Sequence, residues 1–139
     1  MALDRREGWN NSEGVVRGAP RVLLRTEGAA LLAVSVILYA KFGSAWWLFI
    51  VLLLAPDIGM SGYVRTTKLG AATYNALHTY APPAILVAAA VLTESTIAWS
   101  IGLVWFAHIG MDRALGYGLK YGDSFQHTHL GFIGRSPRS

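Results

Sequence analysis

Two histidines and two aspartates stand within otherwise apolar stretches of this 139-residue sequence. His108 and Asp112 are four residues apart, a spacing that places both side chains on one face of a helix. Asp57 and His78 lie in two earlier apolar stretches. Imidazole and carboxylate groups together are typical ligands of Zn, Fe or Mn. The four residues are therefore predicted to form a metal-binding or catalytic centre.

Further polar residues are predicted to surround this centre in the same half of a membrane. Placing one charge at the centre of a bilayer costs at least about 2.5 kcal/mol on insertion scales. Polar bonds between membrane helices contribute only about 0.6 kcal/mol on average, so stability alone is a poor reason for so many polar groups. The residues assigned to this surrounding set are Glu27, Asn75, Arg113 and His129.

Four apolar stretches could position these residues, because a helix needs roughly 20 apolar residues to cross a bilayer. They run over 22–39, 45–64, 71–92 and 96–117. Short links between them favour antiparallel neighbours, so the predicted fold is an all-α membrane protein with a four-helix transmembrane bundle. The predicted organisation is a polar tail over 1–21, a transmembrane domain over 22–121 and a cytoplasmic segment over 122–139.

Prolines predict breaks beside two of the candidate ligands. Pro56 precedes Asp57, and Pro82 and Pro83 follow His78 at the positions whose missing amides would free helical carbonyls. Irregular backbone at membrane depth is tolerated where it is buried in protein or lines a cavity. The breaks could therefore expose hydrogen-bond acceptors at the centre, or serve packing alone.

Composition and charge agree with a membrane protein. Hydrophobic residues make up 53% of the chain and charged residues 14%, against about 25% charged in a soluble domain. Four spans put all lysines and arginines but Lys41 on one side, which the positive-inside rule makes cytoplasmic, so both termini are predicted inside. There is no cysteine, which excludes disulfides and thiolate ligands, and no basic surface for nucleic acid. The residues on the predicted inner side are Arg5, Arg6, Arg17, Arg21, Arg25, Arg65, Lys68, Arg113, Lys120, Arg135 and Arg138.

The C-terminal segment allows two interpretations. His127 and His129 alternate in a stretch that also holds Phe125, Leu130 and Phe132. The apolar residues favour a fold back under the cytoplasmic opening of the bundle. A solvated tail fits the sequence equally well.

Three functions remain open at this stage. The first is a metal-dependent hydrolase or another enzyme on a lipid-like substrate that enters from the inner leaflet. The second is a structural or accessory subunit in which buried polar pairs hold the helices in register. The third is a proton or ion transporter, which is weakened because the outer half offers no polar path and the chain has no inverted repeat. No HExxH motif and no Glu-x-x-His pair supports a known metal family.

Six strings in the chain resemble a family of small bacterial integral membrane proteins, the domain of unknown function 4260. The resemblance covers about Val22 to Gly131 and implies a bacterial inner-membrane protein, without an activity. A weaker likeness is to prophage-type membrane-bound metal-dependent hydrolases, through the Pro56–Asp57 step. Their His-Arg-Gly-x-Thr-His signature is absent here. The six strings are LLRTEG (23–28), APDIGM (55–60), YNALHTY (74–80), AHIGMDR (107–113), GYGLKY (116–121) and THLG (128–131).

Overall fold

The computed structural model describes residues 14–134, and those residues form helices and one small hairpin. Residues 1–13 of the predicted tail and 135–139 of the predicted cytoplasmic segment lie outside the described residues, with Arg5, Arg6, Arg135 and Arg138. Strands β1 (His127–Thr128) and β2 (Gly131–Phe132) pair antiparallel. The helices are α1 (Gly18–Phe42), α2 (Trp46–Leu52), a 3-10 helix (Ala55–Val64), α3 (Thr67–His78), α4 (Ala81–Thr93) and α5 (Thr96–Leu115).

Three helical segments are long and apolar enough to cross a membrane: Gly18–Phe42, Trp46–Val64 and Thr67–Thr93. The second combines α2 with the 3-10 helix, and the third combines α3 with α4. Large apolar side chains on their surfaces face outward, for example Val64 at 89% and Leu92 at 84% exposure. A mostly helical, lipid-facing chain is what the composition predicts, and these apolar helices indicate a membrane protein.

Helix α5 lies at the centre of the molecule and packs against α1, α2 and α4. It is not among the three apolar segments, and it buries more residues than any other described helix. A helix that neighbours shield from lipid can carry polar residues on its protected faces. Close approach of α1 requires glycine, since a Cβ on Gly110 would lie 2.7 Å from the carbonyl oxygen of Gly28. The fourth predicted span, 96–117, corresponds to α5, and its crossing of a membrane stays a prediction.

The 3-10 helix carries Asp57 and packs tightly on α3. Three residues per turn put Pro56, Gly59 and Gly62 on one face, and all three are buried. The hydroxyl of Thr73 on α3 donates a hydrogen bond of 2.6 Å to the carbonyl of Gly59. Ten residues is long for this helix type, and the glycines allow the close contact that holds it in place.

The third predicted span is broken where the prolines indicate. Helix α3 ends at His78 and α4 begins at Ala81, so the carbonyls of Leu77 and His78 lose their helical donors. Side chains of α5 replace those donors. Trp105 Nε1 donates to the Leu77 oxygen at 2.7 Å, and Arg113 Nη2 donates to the His78 oxygen at 3.0 Å. The break is therefore anchored to the central helix rather than left open.

Candidate metal centre

Four side chains from three elements converge on one point in the interior. Asp57 comes from the 3-10 helix, His78 from the last turn of α3, and His108 and Asp112 from α5. Each offers one ligand atom, and these atoms all lie within 4.8 Å of one another. Both histidines are fully buried and Asp112 is nearly so, whereas the Asp57 side chain is 32% exposed. The structure thus brings together the four residues that the sequence analysis placed at the centre.

The four distances from an imidazole nitrogen to a carboxylate oxygen have a narrow range. His78 Nε2 lies 3.5 Å from Asp57 Oδ1 and 3.4 Å from Asp112 Oδ2, and His108 Nε2 lies 3.5 Å from each of the same oxygens. The two Nε2 atoms are 3.0 Å apart. N–H···O hydrogen bonds are typically 2.7–3.2 Å long, so the four nitrogen–oxygen distances are too long for ordinary hydrogen bonds. Ligands about 2.0–2.2 Å from a tetrahedral ion are separated by about 3.3–3.6 Å, which matches the four nitrogen–oxygen distances. The 3.0 Å between the two nitrogens is shorter than this separation and lies within the range of a hydrogen bond.

The backbone and Tyr74 fix the orientation of two ligands. His78 Nδ1 lies 2.8 Å from the carbonyl oxygen of Tyr74, which can only accept, so Nδ1 carries the proton. His78 Nε2 then presents its lone pair to the centre. The Tyr74 ring stacks on the imidazole, and its hydroxyl donates to Asp112 Oδ2 at 3.1 Å. Such hydrogen bonds from outside the ligand set commonly orient metal ligands.

His108 has no comparable support among the described residues. Its Nδ1 is buried and has no hydrogen-bond partner there, while its Nε2 faces that of His78. Two imidazole nitrogens at 3.0 Å repel each other when both present lone pairs. A shared proton or a cation between them removes that repulsion. The contact is therefore satisfied either by a neutral His108 whose Nε2–H donates to the His78 lone pair, or by a cation at the point where the carboxylates also converge.

Two of the four surrounding residues reach the backbone next to the centre. Arg113 is buried and donates to the carbonyls of His78 and Tyr117. Asn75 makes a pair of hydrogen bonds with the backbone of Lys120, at 2.8 Å to its oxygen and 2.7 Å from its nitrogen. Both residues hold neighbouring segments in place without contributing an atom to the cluster.

The other two lie apart from the cluster. Glu27 is exposed on α1. His129 lies in the C-terminal hairpin, where its Nδ1 accepts a hydrogen bond of 2.8 Å from the amide of Leu119. Burial and the nearby charge of Arg113 lower the pKa of His129. The role assigned to these two residues from the sequence stays a prediction.

The C-terminal segment folds back, which decides between the two interpretations of its sequence. Lys120 forms a bridge with Thr128, and His129 donates its amide to the Leu119 carbonyl. Thr128 and Leu130 are fully buried. The hairpin is therefore part of the folded structure, on the side of the centre where α5 ends.

Sequence reasoning missed Tyr74, and it assigned Lys120 only to the cytoplasmic side of the membrane. Tyr74 is 2% exposed and contacts two of the four ligands. The Lys120 ammonium donates to the Phe125 carbonyl and lies 4.8 Å from the centre of the Tyr74 ring. The spacing of four between Tyr74 and His78 was the available signal for Tyr74, whereas nothing in the sequence distinguishes Lys120 from an interfacial cation.

An apolar cavity of about 240 Å³ lies between the elements that carry the ligands. Its lining includes both chain neighbours of Asp57 and the residue before His78. Trp105, one turn before His108 on α5, completes that side. The cavity is wide enough for part of an acyl chain and has almost no polar lining. The lining residues are Leu52, Ala55, Pro56, Ile58, Leu77, Ile101 and Trp105.

Comparison with known proteins identifies one family. The family model described as "Domain of unknown function (DUF4260)" matches residues 21–133, a range that includes all four residues of the cluster. No curated protein and no solved structure matches the chain.

Proposed function

We propose that this chain, which belongs to the DUF4260 family, holds one divalent transition-metal ion between Asp57, His78, His108 and Asp112. The observation that carries the proposal is the set of four nitrogen–oxygen distances, which suit a tetrahedral ion and are too long for hydrogen bonds. Zn²⁺ is the first candidate, because it favours four nitrogen and oxygen ligands in this geometry. Fe²⁺ and Mn²⁺ are the alternatives.

The proposed activity is hydrolysis of a lipid-like substrate, or another reaction on one. An ion at this point would act as a Lewis acid on an ester or phosphate oxygen. Asp57 is the proposed exchangeable ligand, because it is the most exposed of the four and belongs to the 3-10 helix. The apolar cavity beside it would take an acyl chain. His78, His108 and Asp112 would then keep the ion in place.

A second candidate is a purely structural ion, and the number of protein ligands favours it. Closed sites with four protein ligands are typical of structural zinc, whereas catalytic zinc usually keeps one position open. An ion here would join the 3-10 helix, α3 and α5. The protein would then act as a structural or accessory membrane subunit.

The proposed location is the inner membrane of a bacterium, with four spans and both termini in the cytoplasm. The support is the charge distribution. Arg25, Arg65, Lys68 and Lys120 belong to the end of the molecule where α1 begins and α5 ends, whereas Lys41 lies where α1 ends. Residues 22–121 are proposed as the embedded domain, with 1–21 as a tail and 122–139 as a cytoplasmic segment.

Elemental analysis of purified protein tests the metal proposal. We expect about one Zn, Fe or Mn per chain in the wild type, as for a single four-ligand site. Asp112→Asn should lose most of the ion. Asp123→Asn is the matched control, since Asp123 pairs with His127 outside the cluster, and it should keep the ion. Equal metal content in both variants, or none in any sample after each metal is added back, would remove the proposal.

Activity and stability separate the two candidate roles. Metal-loaded protein in micelles is given short-chain phospholipids and lipid esters, and Asp57→Asn is compared at matched metal occupancy. Turnover in the wild type that falls in Asp57→Asn supports the enzyme. Turnover that never exceeds that of apoprotein, together with a lower Tm on metal removal, supports the structural ion.

Labelling of single cysteines tests the topology, because the chain has none of its own. An impermeant thiol reagent on intact cells should react with Ser44→Cys and not with Lys68→Cys. The two links lie at opposite ends of the 3-10 helix and α2 segment. The reverse pattern of labelling would contradict the proposed orientation.

A further inference from the structure

Arginines recur every four residues along the start of α1. Arg17 is the N-cap of the helix, and Arg21 and Arg25 follow at one-turn intervals, so the three share one face. This face is directed at the last turn of α5, because Arg25 Nε donates a hydrogen bond of 2.9 Å to the Ala114 carbonyl. Arg17 is exposed, and it makes no side-chain hydrogen bond within the described chain.

The guanidinium groups of Arg21 and Arg25 lie close together. A Cβ built on Gly116 would be 3.9 Å from Cζ of Arg25 and 4.0 Å from Nη2 of Arg21, so both groups border the same point. A Cβ on Gly131 would lie 3.1 Å from Nη2 of Arg21. Both glycines have positive φ, 93° and 128°, so the backbone itself disfavours a side chain in this space.

Neither arginine has an anionic partner in the described part of the chain, where every ion pair of an aspartate involves a histidine. Arg21 Nε is buried and makes no hydrogen bond there. Arg25 donates one of its five N–H groups to the Ala114 carbonyl at the end of α5, so that hydrogen bond accounts for the position of its side chain. No such bond accounts for the position of Arg21. Two neighbouring cations with free donors repel each other unless an anion lies between them.

We propose that Arg21 and Arg25 bind the phosphate group of an anionic phospholipid beside Gly116 and Gly131. Guanidinium groups bind phosphate through paired, charge-assisted hydrogen bonds. The position at the start of α1 places the pair at headgroup level in a membrane-embedded chain. Gly28 on α1 packs against Arg113 and Gly110 of α5, a different side of that helix from His108 and Asp112. The lipid site is therefore independent of the metal centre.

Thermal unfolding in zwitterionic micelles, with added short-chain phosphatidylglycerol, tests the proposal. Arg21→Gln removes a side chain that makes no hydrogen bond in the described chain, so it should fold. Its half-saturating lipid concentration should be about tenfold higher than that of the wild type. Arg17→Gln is the matched control, with the same charge removed one turn earlier on the same face, and it should respond like the wild type.

Three outcomes would overturn the lipid site. Equal weakening in Arg17→Gln and Arg21→Gln would mean a general charge effect. Inorganic phosphate that stabilises the protein at the same concentrations, and competes with the lipid, would assign the site to a free anion. Phosphatidylcholine at equal concentration should have no saturable effect, and a response to it equal to that of phosphatidylglycerol would also contradict the proposal.

Discussion

The two ends of α5 are held by different kinds of contact. Toward its start, Leu103, Val104 and Ala107 pack with Tyr39 and Phe49 in an apolar core, and the two rings meet edge to face with centroids 5.0 Å apart. Toward its end, buried histidine, aspartate and arginine side chains contact polar atoms of the 3-10 helix, of α3 and of the segment that follows α5. The apolar end depends on shape, and the polar end depends on particular atoms meeting particular partners.

This difference shows how one helix can serve two purposes. Apolar packing tolerates substitutions of similar volume, so the first half of α5 can fix the helices without specifying chemistry. A buried polar group that loses its partner is penalised, so the second half ties each side chain to a specific neighbour. If the two halves are independent, a substitution in the apolar half should lower stability without changing metal binding.

The largest expected effect on stability is in the apolar half. Leu103→Ala should lower the free energy of unfolding by about 2–5 kcal/mol, because it leaves a cavity beside Tyr39 and Phe49. Titration with a denaturing detergent measures the change. Metal content of the folded protein should stay at the wild-type value. Leu92→Ala, at an 84% exposed position, is the control and should be nearly neutral. If Leu103→Ala loses metal as well as stability, the apolar and polar halves of α5 are not independent.

Arg113→Met should have the next largest effect and lower the free energy of unfolding by about 2–4 kcal/mol. It leaves the buried carbonyl of His78 and the partly buried carbonyl of Tyr117 without a donor, and each unsatisfied acceptor costs about 1–2 kcal/mol. Unlike Leu103→Ala, this variant should also bind metal more weakly, since His78 is held less firmly. Arg65→Met removes the same charge from an exposed link as a control. Wild-type stability in Arg113→Met would show that the break after α3 does not depend on α5.

Asn75→Ala should have an intermediate effect and lower the free energy of local unfolding of the hairpin by about 1–3 kcal/mol. The amide side chain makes both hydrogen bonds to the backbone of Lys120. Hydrogen exchange should therefore speed up over 118–132, while α5 keeps its protection. Faster exchange over α5 as well would mean that the hairpin and the metal centre unfold as one unit.

The smallest expected effect on stability is a pH dependence from His129, which follows from the direction of its pKa shift. Its folded pKa is lowered by burial and by Arg113, whereas the unfolded chain protonates near the ordinary value of 6.5. The folded state therefore binds fewer protons below pH 6.5, and stability should fall as the pH drops from there. Unfolding of His129→Gln followed from pH 7 to 5 should show a shallower decline. An equal or steeper decline would place the pH sensitivity elsewhere.

Much of the architecture could be predicted because it follows from local properties. Length and hydropathy locate the apolar helices, and the missing amides of Pro82 and Pro83 locate the end of α3. The spacing of His108 and Asp112 places them on one face of a helix. Asp57 and His78 were predicted to lie in the same half of the membrane as that pair, and therefore near it. Membership of the DUF4260 family is confirmed by the match over residues 21–133.

What the sequence could not supply depends on contacts between distant segments. The close approach of Gly28 to α5 sets the rotation of α1 about its axis. The depth of Glu27 in the predicted membrane span therefore could not show that its side chain is exposed. The 3-10 helix over 55–64 is held by contacts with α3, such as the hydrogen bond from Thr73 to the Gly59 carbonyl, that the local sequence does not reveal. Lys120 acquires its place only when the hairpin folds back and Asn75 holds its backbone.

The most direct test of the central claim is X-ray absorption at the zinc edge on protein loaded with one equivalent of Zn²⁺. We predict four nitrogen and oxygen ligands at about 2.0–2.2 Å, with the outer-shell scattering of two imidazoles, and about half of that imidazole scattering in His108→Gln, which keeps His78. A six-coordinate shell of oxygen without imidazole scattering, or a spectrum unchanged in His108→Gln, would contradict the assignment of Asp57, His78, His108 and Asp112 as the ligands.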